Sequence, residues 1–425
     1  MKTMKRMISL ALSLLMLTAL CACGAQPATS EQESAKPAAK VETLAAPVYP
    51  AERSFDAVDV AGLDAFTAES LPVVFAGLNG DNRVYSPLNV YMALAMLAEI
   101  TDGETRAQIL DMLGCPDIET LRAGIAQLFA ASYADEEMLT ALPAASVWLR
   151  DGYDYKSDAL QRLAEDYYAA AFRGTMGDAA YTRALRDWVN EQTHELLKAQ
   201  ADQLELKPET VLALVTTLYF KGRWSSEFPA DRTEKDVFHA DSGDVDADFM
   251  HTSKVTAYYR GERFGAIRLS MYSGAGMWIV LPDEGTSLQE LIDSGEVGAF
   301  LADPEAAENR QATVYITLPR FDVSSDLNLI GTLQALGVED AFDLTKSDFS
   351  PLTDEALFVS DVEHAARVKI DEEGCEAAAF TAMMYASGMM LPPDETIDFV
   401  CDRPFFFAVT GSQGQIFFTG AVNQP

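Results

Sequence analysis

Residues able to do chemistry are few in this chain, and they are not arranged as a catalyst. The four histidines are scattered, and there is no G-x-S-x-G elbow, no H-E-x-x-H pair, no phosphate-binding glycine loop and no dinucleotide fingerprint. Asp241 to Asp248 gathers acids but lacks the ligand spacing and glycine of a calcium loop, so it reads as a solvated turn. Beyond Cys21 and Cys23 there remain Cys115, Cys375 and Cys401, an odd number with no CxxC or metal spacing, which is not a disulfide framework. No catalytic residue, metal or cofactor is expected. One stretch stands apart, Lys369 to Leu391. Its carboxylates Asp371, Glu372 and Glu373 lead through Gly374 and Cys375 into small side chains, and Pro392-Pro393 stops it. Composition leaves two readings of it. Ala377 to Ala379 could begin a helix, alanine being the best helix former, although Phe380, Thr381 and Tyr385 lose rotamer freedom there. A strand of small side chains, by contrast, can slip between two existing strands without displacing packed neighbours.

The elements that must position this stretch are mixed helix and strand. Asp59 to Gly77 is a candidate helix interrupted at Pro72, and a long apolar helix follows Val84-Tyr85-Ser86-Pro87-Leu88-Asn89 and runs through Ile100. Asp102 to Thr105 reads as a turn and cap for a further helix ending at Gly114. Leu142 to Arg150 alternates like a strand, and Lys156 to Ala171 has the period of an amphipathic helix. Val211 to Phe220, Gly276 to Pro282 and Val314 to Phe321 are strands. The result is an α+β domain over residues 51–425, with no second linker and no internal repeat.

Ahead of it lie two segments of other kinds. Lys2, Lys5 and Arg6 precede an apolar run, Met7 to Leu20, too short for a stable span, and residues 1–22 read as a secretion signal. Its end, Leu20-Cys21-Ala22-Cys23, resembles a lipoprotein box, in which Cys23 would be acylated and become the first mature residue. Multiple acylation would give lasting attachment. Residues 23–50, rich in Ala, Pro, Ser, Glu and Lys, read as a flexible tether. Residues 1–22 hold three of the chain's 31 basic residues and none of its 65 acidic ones, which leaves a net charge of −37 beyond them. Such a surface excludes nucleic acid and anionic lipid as partners, since both require positive charge.

The stretch from Asp371 resembles the hinge and reactive-centre loop (about 374–393) of a serpin, a serine protease inhibitor. The resemblance rests on Asp371, Glu372, Glu373 and Gly374, then Glu376, Ala377, Ala378, Ala379 and Thr381. It covers the chain from about residue 58. Ser86 to Val90, Asp187-Trp188-Val189-Asn190, Lys221-Gly222-Arg223-Trp224, Leu336-Gly337-Val338, Val359 to Ala365, and Arg403-Pro404-Phe405 through Phe418-Thr419-Gly420 also match. What it implies is a serpin fold: one large central sheet, two smaller sheets, eight or nine helices and an exposed loop.

It further implies a mechanism and a set of roles. A protease attacks the loop, and the cleaved upstream half inserts as a new strand into the central sheet. Counting from Gly374 by the family's usual loop length puts the scissile bond between Gly388 and Met389, with Tyr385, Ala386, Ser387 and Met390 against the protease. Those side chains fit a subtilisin-like or elastase-like serine protease, with a papain-like cysteine protease also open and a trypsin-like one excluded for lack of Arg or Lys. Ser86 and His364 are implied to form a hydrogen-bonded cluster where the sheet opens. Asn89 and Thr216 stand there in place of the family's serine and asparagine. Trp224 would sit where the loop enters, and Arg320 would pair with Glu372, a contact worth little if exposed. If Cys375 faces the core on insertion, so do Ala377, Ala379, Thr381, Met383 and Tyr385, while Phe380 faces out. The expected protein is a monomeric, exported, lipid-anchored inhibitor at a bacterial surface. The alternative is a serpin-fold protein whose loop binds a partner or signals cleavage.

Overall fold

Helix Pro87–Glu99 is apolar on every side, the mark of a helix meant for complete burial, and twelve of its thirteen residues are buried. Ser86 caps it by accepting the Asn89 N–H, and Pro87 occupies the first turn, where its missing N–H costs nothing. One side meets strand Leu212–Arg223 and the other meets strand Ile416–Val422, so the helix lies between two sheets. In the computed structural model the described residues are 41–49, 60, 62–375, 393 and 395–425.

The first sheet has eight strands, in the order Glu42–Ala45, Ala169–Gly174, Leu139–Arg150, Leu212–Arg223, Gly374–Cys375, Glu363–Ile370 and Phe321–Asn328, with Ala134–Asp135 paired beside Leu139–Arg150. The second has nine. The two smaller sheets implied by resemblance are joined in it by the eighteen-residue strand Gly243–Arg260. That strand pairs along Glu234–Ala240 at its start and with Phe264–Ser270 through its last three residues. Strand Phe405–Thr410 of this sheet is buried throughout, between Gly276–Pro282 and Ile416–Val422. Ten α-helices are present among the described residues, of which Lys198–Ala201, Leu288–Asp293 and Ile330–Ala335 are short.

Several local expectations are corrected. Helix Leu63–Val74 runs through Pro72, which lies so near its end that the ring disturbs only the last turn. The segment 156–171 is not one helix: Ser157–Asp166 is helical, Tyr168 turns with φ of 54°, and Ala169–Gly174 leaves as a strand beside Leu139–Arg150. Asp102 stands at the start of helix Gly103–Met112, but its carboxylate meets Arg106 at 3.3 Å and caps no N–H. The tether read over 23–50 gives up its last part to the first sheet. Glu42–Ala45 pairs antiparallel with Ala169–Gly174, Glu42 meets Arg173 at 2.7 Å, and the Val48 N–H reaches the Ala164 carbonyl at 2.9 Å. A composition average hides this. A short strand needs only a free neighbouring edge and a few apolar anchors, and Tyr49 provides one by stacking 5.7 Å from Phe129.

Candidate functional site: a hinge lodged in the central sheet

Strand Glu363–Ile370 ends in a tight turn. The Asp371 carboxylate accepts the N–H groups of Glu373 at 2.9 Å and Gly374 at 3.3 Å, and the Asp371 N–H closes on the Gly374 carbonyl at 3.0 Å. The chain then doubles back. Gly374 and Cys375 form a two-residue strand that sits opposite Arg223 and Gly222 on one side, with Cys375 opposite Ile370 on the other. Only glycine fits at 374, because a Cβ there would lie 2.1 Å from the Gly222 carbonyl oxygen. Cys375 is buried in the core, the parity that sends Ala377 and Ala379 to the same side if the strand continues.

A roof holds this turn down. The fully buried Trp224 donates its backbone N–H to the Glu373 carbonyl at 2.9 Å and its indole N–H to the Asp371 carbonyl at 3.0 Å. The Phe228 N–H reaches the Glu372 carbonyl at 3.0 Å. Arg320 Nε donates to both Glu372 oxygens at 2.9 Å, its Nη2 donates at 2.5 Å, and Thr233 Oγ1 adds a bond at 2.5 Å. Burial pushes the Glu372 carboxyl up, and the bonds from Arg320 and Thr233 outweigh it, holding the group below its ordinary value. The pair would be worth little if exposed, and the Glu372 side chain is only 10% exposed. Charged hydrogen bonds of this kind contribute roughly 1.5–3 kcal/mol when buried. Arg320 is 45% exposed, and solvent screening discounts the pair toward the bottom of that range.

Beneath the sheet, the Ser86 N–H donates to His364 Nε2 at 3.0 Å, and Ser86 Oγ donates to the Phe417 carbonyl at 2.6 Å. Nε2 is therefore the unprotonated nitrogen. Burial pushes the ring down to about 4, and the Tyr85 ring stands edge-on to it at 5.5 Å. Thr216 Oγ1 donates to the Asn89 backbone carbonyl at 3.1 Å, while the buried Asn89 side-chain oxygen has no hydrogen-bond partner among the described residues. Asn89 and Thr216 are thus neighbours, joined through backbone and not side chain to side chain. Across the front lies helix Ala179–Gln192, followed by His194 and Glu195 with φ of 49° and 63°. The His194 ring stacks on Tyr219 of one sheet strand at 4.4 Å, and Arg367 of another donates to the Leu196 carbonyl at 3.2 Å.

Trp224, Arg320, Glu372, Glu373, Gly374 and Cys375 come together, as do Ser86, Asn89, Thr216 and His364. Glu376, Ala377, Ala378, Ala379, Thr381, Tyr385, Ala386, Ser387, Gly388, Met389, Met390 and Cys23 lie outside the described residues. Sequence reasoning missed Thr233 and Phe228, which carry no local signal. It also passed over Gly222 and Arg223, whose place beside Trp224 was signal enough. Arg223, almost wholly buried, meets Glu227 at 2.6 Å and Glu373 at 3.5 Å. Among the described residues no cluster has the composition of a metal site, and no helix is long and apolar enough to cross a membrane.

The sequence profile of one family, described as Serpin (serine protease inhibitor), matches residues 63–425. The chain is 29% identical over 422 residues to Serpin-Z2A of Oryza sativa subsp. japonica, covering 87% of this chain and 98% of that one. It is 30% identical over 359 residues to an uncharacterized serpin-like protein of Thermococcus kodakarensis, covering 82% of each. Among solved structures it is similar to the native state of the thermophilic serpin Tengpin, with a TM-score of 0.78 and 26% identity over 90% of this chain and 97% of that one.

Two predictions follow from the geometry. Gly374→Ala expels the hinge, so the Cys375 thiol, buried in the native protein, gains at least about tenfold in labelling rate, the equivalent of about 1.4 kcal/mol. Labelling is followed by mass spectrometry, and an unchanged rate would mean that Gly374 and Cys375 are not lodged in the sheet. The second concerns pH. His364 titrates near 4 when folded against 6.5 unfolded, so between those values the unfolded chain binds a proton that the folded one refuses. Stability present above about pH 6.5 is lost as pH falls toward 4, by up to about 1.4 kcal/mol per unit from this ring. Thermal scans of His364→Gln, which can still accept the Ser86 N–H, have a shallower acid slope; equal slopes sink the assignment.

Proposed function

The chain belongs to the serpin family, and from that premise we propose that it is a suicide inhibitor of serine endopeptidases, held at a bacterial cell surface by a lipid on Cys23. Serpins as a family act on target proteases. The observation that carries the reading here is the strand Gly374–Cys375, already seated between Leu212–Arg223 and Glu363–Ile370 as the first rung of an insertion. Small residues follow it in sequence, at Ala377, Ala378 and Ala379.

The protease supplies the chemistry. Its nucleophile attacks the Gly388 carbonyl, the amine of Met389 leaves, and the loop is held as an acyl-enzyme. The upstream half then extends the strand begun by Gly374 and Cys375, carrying the enzyme with it. About ten new backbone hydrogen bonds at roughly 1 kcal/mol net each give on the order of 10 kcal/mol. That matches the stability of an ordinary domain, so the uncleaved form is held kinetically. Insertion has to outrun deacylation. The small side chains at Ala377, Ala379 and Thr381 permit it on the core side, and Phe380 falls on the opposite face.

Tyr385, Ala386, Ser387 and Gly388 favour a protease with a shallow primary pocket, subtilisin-like or elastase-like, with papain-like cysteine proteases as the second class. The test is a denaturing gel of the full chain mixed with each. A covalent band at the summed mass, with cleavage after Gly388, is the expected result. Cleavage by all of them without an adduct overturns inhibition and leaves a loop that binds or signals. The anchor is tested separately: the N-terminal peptide from a membrane fraction begins at Cys23 and carries acyl mass, and an unmodified peptide starting elsewhere removes the tether.

A further inference from the structure

Strand Gly243–Arg260 carries a lysine on the face that the rest of the domain covers. Ser253 and Val255 are exposed, while Lys254 between them is half-buried. Its partner across the pairing, Val314 of strand Glu308–Pro319, is fully buried. Residues directly opposite share a face, so the Lys254 stem runs along the covered side and its tip reaches the solvent-exposed carbonyl of Ser226.

Two groups receive the ammonium. Nζ donates to the Ser226 carbonyl at 2.7 Å and stands 5.2 Å from the centroid of the Phe228 ring. No carboxylate lies within ion-pair distance of it among the described residues. That is unexpected in a chain with 65 acidic residues and 31 basic ones. The acids of this region are committed elsewhere: Glu227 meets Arg223 at 2.6 Å, and Glu372 meets Arg320 at 2.5 Å. A covered ammonium without a counter-charge gives up its proton more readily. Burial pushes Lys254 down to about 8. A desolvated lysine against an apolar wall is the form in which this side chain acts as a nucleophile.

We propose that Lys254 is an acyl-acceptor site, modified by an activated short-chain acyl group at the amine that Ser226 and Phe228 hold in place. The neutral amine attacks the acyl carbonyl and a C–N bond forms. The leaving group departs with the electron pair of its broken bond, and the extra proton on nitrogen passes to water. The product suits the site, because the amide N–H still donates to the Ser226 carbonyl and the desolvated charge is gone. Phe228 joins the site to the hinge: its N–H reaches the Glu372 carbonyl at 3.0 Å, and its ring stands edge-on to Trp224 at 6.3 Å. Acylation takes the cation away from that ring and loosens the seat of Cys375.

The native full chain is treated with acetyl phosphate at pH 7.5, and acetylation of each lysine is followed by peptide mass spectrometry. Lys254 reacts at least about tenfold faster than the exposed Lys235 and Lys369, and its rate levels off above about pH 8. Thr256→Glu, which sets a carboxylate two residues along on the same face, brings Lys254 down to the rate of those two lysines, and so does unfolding in guanidinium. In the acetylated fraction the Cys375 thiol labels about threefold faster, the size expected on losing one cation–π contact. Acetylation of Lys254 no faster than that of Lys235 and Lys369, or at a rate that Thr256→Glu leaves unchanged, overturns the site. An unchanged Cys375 rate overturns its link to the hinge.

Discussion

The contact on which this structure depends is the lodging of two residues, Gly374 and Cys375, between strands that otherwise belong to separate parts of the chain. Strand pairing is satisfied locally by backbone bonds, so a sheet accepts any segment whose side chains fit the two faces. Glycine is required at the first position by the Gly222 carbonyl, and a small apolar group suits the second because it enters the core. The neighbouring features follow from that. The turn at Asp371 to Glu373 has to be tight, Trp224 has to cover it, and Glu372 has to be tied to a second segment at Arg320. Together these bonds keep the hinge seated at a defined depth.

The carboxylate of Glu372 shows how burial changes the weight of an ion pair. On an open surface it would contribute next to nothing. Here its side chain is covered, and Thr233 and Arg320 fill its lone pairs, so breaking the cluster would leave a desolvated charge. The same logic with the opposite sign governs His364. It is buried neutral and accepts one backbone N–H, and its burial is what disfavours the charged form. One group is stable because it is charged and paired, the other because it stays uncharged.

Much of this was legible in the chain, for identifiable reasons. The stretch from Asp371 could be placed only through its resemblance to a serpin hinge, since composition left helix and strand open; the parity reckoned from an inward Cys375 agrees with its burial. Trp224, Ser86, His364, Arg320 and Glu372 were readable because they sit within recognisable runs of sequence. Thr233 was not, since a lone threonine in a polar turn gives no sign of which distant carboxylate it will reach. The strand Glu42–Ala45 was hidden for another reason. Its stability comes from the edge of Ala169–Gly174, which a composition average over residues 23–50 cannot see. Tyr168 broke the helix expected over 156–171, because periodicity measures a face and not the backbone conformation at its end.

Under the insertion proposed above, holding the hinge and letting it advance are opposed requirements, and the contacts that would serve each lie in different places. The bonds that hold it lie at the turn, in Trp224, Glu372 and Arg320. The obstacle to advance lies on the front, where the connection after helix Ala179–Gln192 grips two different strands through His194 on Tyr219 and Leu196 on Arg367. Two adjacent non-glycine residues in left-handed conformation, His194 and Glu195, sit at that grip, a geometry costing of order 1–3 kcal/mol per residue when it is not compensated. The strain and the grip therefore offset each other: contacts on two strands keep the connection in place, and releasing it returns part of the strain. Such a connection costs less to displace than its contacts alone would indicate, which is the balance that the proposed kinetically held sheet would require.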